Sequence, residues 1–174
     1  MKTLLLLRHA KSGWDNPGLT DHDRPLAPRG KKAAPAIGGM LRQSGLTPGR
    51  VLCSTARRAR QTWERIAPYI DPDPEVEFRR DIYDAETSCE LLTILRGQPH
   101  HAATVMLVGH NPALEDLARS LYRDGDPDAH AAMTEKYPTA ALAEISFAVD
   151  NWRDVGRETG TLARFVKPKL VKNT

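Results

Sequence analysis

With 174 residues, 40% of them apolar and 27% charged, the chain has the length and balance of one compact domain with a full hydrophobic core. Lys and Arg number 25 against 22 Asp and Glu, a net charge of +3 with no block of like charge, which falls short of a nucleic-acid-binding signature. No apolar stretch approaches the roughly 18–20 residues of a membrane span, and the two cysteines, Cys53 and Cys89, lack the C-x-x-C spacing of a zinc or redox site.

The start, Met1 to Arg8, holds four consecutive leucines and then a charge. A signal peptide needs roughly 7–15 apolar residues in that place, so this run is not read as one; a cytoplasmic, reducing compartment is the simplest reading of the two cysteines. Thr3–Leu7 is instead the continuous apolar run of a strand buried on both faces. A Gly-, Asp- and Pro-rich loop from Ser12 to Pro28 follows, then a helix from Gly30 to about Ser44, ended by Gly45-Leu46-Thr47-Pro48-Gly49. Arg50–Cys53 reads as a second strand, and Ser54 or Thr55 as the cap of a helix that runs to about Ala67. A third strand is expected at Glu75–Phe78, and Thr87-Ser88-Cys89-Glu90 has the form of a capping box opening a helix through Arg96.

Thr104–Val108 is the clearest buried strand. Gly109-His110-Asn111-Pro112 comes next, with Asn111 as expected cap and Pro112 at the first helical position. That helix reaches about Tyr122. Asp124–Thr139 reads as a polar loop, and Ala140–Val149 and Thr161–Val166 as the last strands. Strands alternating with helices predict a mostly parallel sheet covered on both faces, within a single domain over 1–174. Such sheets bind ligands at the carboxyl ends of their strands. Arg8-His9, Ser54 to Arg58, and Gly109-His110-Asn111 all lie at strand-to-helix junctions, so they can converge there.

These junctions supply histidines, arginines and helix N-termini. Guanidinium groups match phosphate oxygens, and a helix start adds free N–H groups. Phosphoryl transfer mainly requires positioning and charge stabilisation, and a neutral imidazole is a competent nucleophile. Taken singly, each signal has a bland alternative: a structural histidine, or a solvated arginine face. Successive helical residues point about 100° apart, so Arg57 and Arg58 cannot both enter one pocket.

Four segments together resemble the histidine phosphatase, or phosphoglycerate mutase-like, superfamily. Leu4-Leu5-Leu6-Leu7-Arg8-His9-Ala10 is similar to its R-H-G signature, with Ala10 in place of the usual Gly. Ser54 to Thr62 resembles its S-x-x-x-R-A-x-Q-T segment, and Val108 to Pro112 its later G-H motif. Asp23-Arg24-Pro25-Leu26-Ala27-Pro28-Arg29-Gly30 is similar to the D-R-P-L-T-x-x-G stretch of the SixA-type branch, the phosphohistidine phosphatases, as is Lys136-Tyr137-Pro138-Thr139-Ala140.

The resemblance implies a three-layer α/β/α domain, phosphoglycerate mutase-like, with an antiparallel strand near the C-terminus. It implies His9 as nucleophile, Arg8 and Arg58 as clamps on the phosphoryl oxygens, and His110 as a further donor. Arg24 would be a fourth contact, and Ser12 and Lys11 lie just past the nucleophile. Asp84 and Glu86 are the candidates for a general acid; Glu90 is better explained by the capping box. No metal and no cofactor is expected. The expected partner is a phosphorylated protein carrying phosphohistidine, with no nucleic acid and no membrane. A small-metabolite phosphomonoesterase and an inactive phosphate-binding module are the alternatives.

Overall fold

A computed structural model of the chain describes residues 1–170. Among them, seven strands form one sheet: β1 (Lys2–Arg8), β2 (Arg50–Ser54), β3 (Glu75–Arg79), β4 (Thr104–Gly109), β5 (Tyr122–Gly125), β6 (Leu142–Phe147) and β7 (Gly160–Val166). Their order across the sheet is β3-β2-β4-β1-β6-β7-β5. β1 pairs in parallel with β4 and antiparallel with β6, and β6 pairs antiparallel with β7. The two reversals cancel, so β7 runs in the same direction as β1.

Alternation along the central strands divides the core into two faces. Leu5 and Leu7 of β1, with Met106 and Val108 of β4, meet α1 (Pro28–Gln43) and α2 (Arg57–Ile66) through Ile37, Leu41, Trp63 and Ile66. Leu4 and Leu6, with Val105 and Leu107, face α4 (Ser88–Arg96) and α5 (Ala113–Leu121) through Leu91, Leu95, Leu114 and Leu117. The expected three-layer α/β/α architecture with one antiparallel strand is the observed one. Each fully buried leucine of β1 contributes about 1.5–3 kcal/mol relative to exposure, which fixes this strand at the centre. Among the described residues no helix is long and apolar enough to cross a membrane.

Three local expectations need correction. The stretch 124–139 is not a loop: it contains the end of β5 and the helix α6 (Pro127–Glu135). The Asp126 side chain accepts from the Ala129 N–H at 2.7 Å, Pro127 opens the helix, and only Ala129 and Met133 are buried. That apolar stripe is too narrow to show as a pattern in the sequence. At α2, neither Ser54 nor Thr55 is the cap; Ala56 holds that position without a side-chain bond. At α5 the helix begins at Ala113 after Pro112, and the Asn111 side chain is spent on Glu115 Oε2 (2.8 Å) and the Tyr137 carbonyl (3.3 Å). The capping box at Thr87 and Glu90 is present as read.

Candidate active site

The carboxyl ends of β1, β2 and β4 stand level, with Arg8 opposite Gly109 and Cys53 opposite Val108. His9 therefore leaves the sheet beside His110. Its N–H donates to the Gly109 carbonyl at 3.1 Å. On the other flank the Ala140 N–H donates to both the Arg8 and His9 carbonyls, at 3.0 and 3.1 Å. Ala140 holds φ at 60°, left-handed backbone that is uncommon for a residue with a Cβ. Ala10 continues the hold, its N–H donating to Thr62 Oγ1 at 2.9 Å. The loop that follows packs closely: a Cβ added to Gly30 would lie 2.2 Å from the Lys11 carbonyl oxygen, so only glycine fits where α1 begins.

His9 is 8% exposed, and its ring centroid lies 5.0 Å from that of His110. Its Nδ1 sits 2.7 Å from the Ala10 carbonyl oxygen. A carbonyl can only accept, so Nδ1 carries the proton and Nε2 is left with its lone pair. His110 Nε2 lies 2.7 Å from Ser54 Oγ, and its Nδ1 is 3.4 Å from Arg58 Nη2. A guanidinium only donates, so His110 Nδ1 accepts. Burial first, then the neighbouring His110, holds the His9 imidazole well below its ordinary value. Burial and then Arg58 push His110 down to about 3. Both rings are neutral at pH 7.

Arg8 and Arg58 lie beside these rings, and Arg24 joins them through Asp21. Arg8 donates from Nη1 to the Tyr137 carbonyl at 2.8 Å, while its buried Nε has no partner among the described residues. Tyr137 is itself anchored by its hydroxyl, which donates to the Leu6 carbonyl at 2.6 Å. Arg58, 7% exposed, donates to the Asp21 backbone carbonyl at 2.6 Å and to Asp21 Oδ2 at 3.1 Å. Arg57, next to it, is exposed. Arg24, 8% exposed, donates to Ser12 Oγ at 2.6 Å and Asp21 Oδ1 at 2.8 Å, with Trp14 stacked 3.3 Å from its guanidinium carbon. Ser12 is thus placed against Arg24, and Lys11 is exposed.

Asp21 escaped the sequence reading, although it joins the two inner arginines. The Tyr83 hydroxyl also donates to it, at 3.0 Å, and the Tyr83 ring lies edge-on to His110 with centroids 5.8 Å apart. Burial alone would raise the Asp21 carboxyl, but the hydrogen bonds from Arg24 and Tyr83 and the Arg58 charge outweigh it and bring it down to about 2. The only sequence clue was its place three residues before Arg24. Ser54 and Thr55 are not caps. Their hydroxyls hold histidines, Ser54 against His110 and Thr55 Oγ1 against His22 Nε2 at 3.0 Å. Asp84 is exposed and paired with Arg80 Nε at 3.1 Å, and Glu86 is exposed on the capping-box turn. Neither carboxylate makes a hydrogen bond to His9, His110 or Arg58.

This arrangement offers a neutral ring nitrogen amid guanidinium donors, which suits capture of a tetrahedral anion and attack on it. Known proteins agree with it. The family description "Histidine phosphatase superfamily (branch 1)" matches residues 4–84. An uncharacterized protein of Mycobacterium tuberculosis is 36% identical over 165 residues, covering 94% of this chain and all of that protein. A proposed phosphohistidine phosphatase SixA from Nakamurella multipartitia is 31% identical, superposes with a TM-score of 0.82 and is matched over 96% of each chain. Another from Agrobacterium tumefaciens is 30% identical, with a TM-score of 0.80 over 96% of this chain and 98% of that one. The coarse activity that goes with this kinship is hydrolysis by a phosphatase, on a phosphoglycerate mutase-like fold. The chain belongs to the histidine phosphatase superfamily, in its SixA-type branch.

Proposed function

We propose that this phosphatase removes phosphate from phosphohistidine of a protein, through a phosphoryl group carried transiently on His9. The observation that carries the reading is the His9 tautomer: Nδ1–H held by the Ala10 carbonyl leaves Nε2 free to attack. In the first half-reaction Nε2 forms a bond to phosphorus as the bond from phosphorus to the substrate nitrogen breaks, and that nitrogen takes a proton from solvent. Arg8, through its unpartnered Nε, and Arg58 neutralise the equatorial oxygens. His110 donates to the same oxygens by turning its Nε2–H away from Ser54 Oγ, and Arg24, positioned by Ser12, supplies a further cation. Water then attacks phosphorus, releasing phosphate and restoring neutral His9. All of this proceeds within one domain and without a metal.

The leaving group decides between substrates. An alkoxide needs a protonated acid, an effect typically of 10²–10⁴-fold. The carboxyl joined to the site, Asp21, is ionised at pH 7 because it titrates near 2. It supports a nitrogen leaving group, which depends less on an acid. Steady-state kinetics on a phosphohistidine peptide and on a panel of small phosphate esters, beside His9→Ala, test the proposal. The expected result is a preference for the peptide, with a phosphoryl group trapped on His9 of the wild type. Preferential hydrolysis of the esters overturns the substrate, and failure of several donors to label His9 overturns the mechanism.

A further inference from the structure

A cavity of about 530 Å³ opens on the β7 side of the nucleophile. Because β7 runs with β1, Val166 stands opposite Leu142, and Leu142 opposite Leu7. Lys167 therefore leaves β7 at the sheet edge where Arg8 and His9 leave β1. Among the described residues, Lys11, Arg29, Lys136, Lys167 and Lys169 line the cavity, against one carboxylate, Glu135. Its floor is apolar, from Ala33, Ala132, Pro138 and Pro168. The chain links the groove to the His9 site at two places: Lys11 lies two residues beyond His9, and Pro138 and Thr139 run from the Tyr137 that accepts from Arg8 to the Ala140 that donates to the His9 carbonyl.

The lining differs in kind from the pocket. The His9 pocket gathers Arg8, Arg24 and Arg58, planar donors suited to the compact charge of a phosphoryl group. The groove has four lysines and one arginine, point charges on flexible stems spread over an apolar floor. Spaced carboxylates carried by an extended chain match that pattern better than a dense polyanion. The chain itself shows the fit, since Glu135 sits on Lys167 with 2.5 Å between Oε2 and Nζ.

We propose that this groove docks an acidic segment of the phosphorylated protein, adjacent to the residue presented to His9. The proposal rests on the function argued above for the position of that residue, and it gives the substrate a second recognisable feature: carboxylates flanking the phosphohistidine. Binding there raises local concentration of the protein substrate and leaves chemistry to the arginine pocket.

The test uses binding, so it is independent of turnover. A fluorescein-labelled, unphosphorylated peptide rich in Asp and Glu is titrated by anisotropy with the full chain, beside a peptide of equal length and no charge. Expected are preference for the acidic peptide, a loss of about tenfold or more on Lys136→Glu with Lys169→Glu, a smaller loss with the corresponding Gln variants, and a shallower salt dependence in both. Arg58→Ala is expected to weaken inorganic phosphate and leave the peptide in place. The proposal is overturned if both peptides bind alike, if the charge reversals change nothing, or if Arg58→Ala releases the peptide. It is also overturned if pyrophosphate holds the groove more tightly than the peptide. A protein that binds the acidic peptide yet spares phosphohistidine would refute the proposed function and leave this result standing.

Discussion

The arginine pocket around His9 and the lysine groove beside it occupy one edge of one sheet and are built in opposite ways. In the pocket almost every polar atom is committed: Arg58 and Arg24 to Asp21, Arg24 to Ser12, His110 to Ser54, His9 to the Ala10 carbonyl. The groove carries Lys11, Arg29, Lys136 and Lys169 on exposed positions around an open floor. Commitment and burial give geometric precision and displaced proton affinities; exposure gives range and sensitivity to salt. Charge of the same sign thus serves two purposes within one edge.

Substitutions measure how far that difference holds. The largest effect is expected from His9→Ala, which removes the proposed nucleophile and should lower kcat on the order of 10³-fold or more, with the fold intact by circular dichroism. Arg58→Ala should cost about 10²–10³-fold in kcat/KM, the scale of removing one preorganised donor. Arg57→Ala, one residue away and exposed, should change it by less than about threefold. Equal losses from both arginines would break the contrast between committed and open positions.

A third outcome concerns pH. His9 and His110 titrate lower in the folded chain than the ordinary 6.5, so between that value and their folded values the unfolded chain binds more protons. Their neutral burial contributes fully above pH 6.5, and stability falls as the solution is made more acidic, by up to about 1.4 kcal/mol per pH unit for each ring. Thermal melts from pH 7 to pH 4 should show this slope, and His110→Gln should make it shallower. Asp21 acts in a lower window: its carboxylate stabilises above about 3.8 and loses its effect as pH falls toward 2. The smallest effects are expected from Asp84→Asn and Glu86→Gln on phosphohistidine hydrolysis, under about threefold each. A loss of 10²-fold from either would place the acid there and favour an ester substrate.

The parts that were legible in the sequence are those set by local pattern. Four leucines announced β1, Thr104–Val108 announced β4, and the Thr87 box announced α4. Helix geometry required that only one of Arg57 and Arg58 face inward, and the motif selected the one that is buried. What escaped depends on tertiary partners. Among the described residues the edge strand β5 pairs only with β7, and α6 buries two residues, so neither leaves a periodic trace. Asp21 stands in a loop rich in turn formers, and only the folded loop brings it between Arg24 and Arg58. Ser54 and Thr55 had the right chemistry for caps and were recruited by histidines instead.

The Ala140 N–H, held in left-handed backbone, fastens the carbonyls of Arg8 and His9 just where the β1 ladder gives out, while the His9 N–H is fastened to Gly109. His9 is thereby tied on both flanks by main-chain bonds, independent of any substrate. Ordering of the attacking group is completed when the chain folds, and little conformational entropy is left to lose when phosphate arrives. On the proposed mechanism, what is left to arrange at each turnover is the delivery and orientation of the substrate.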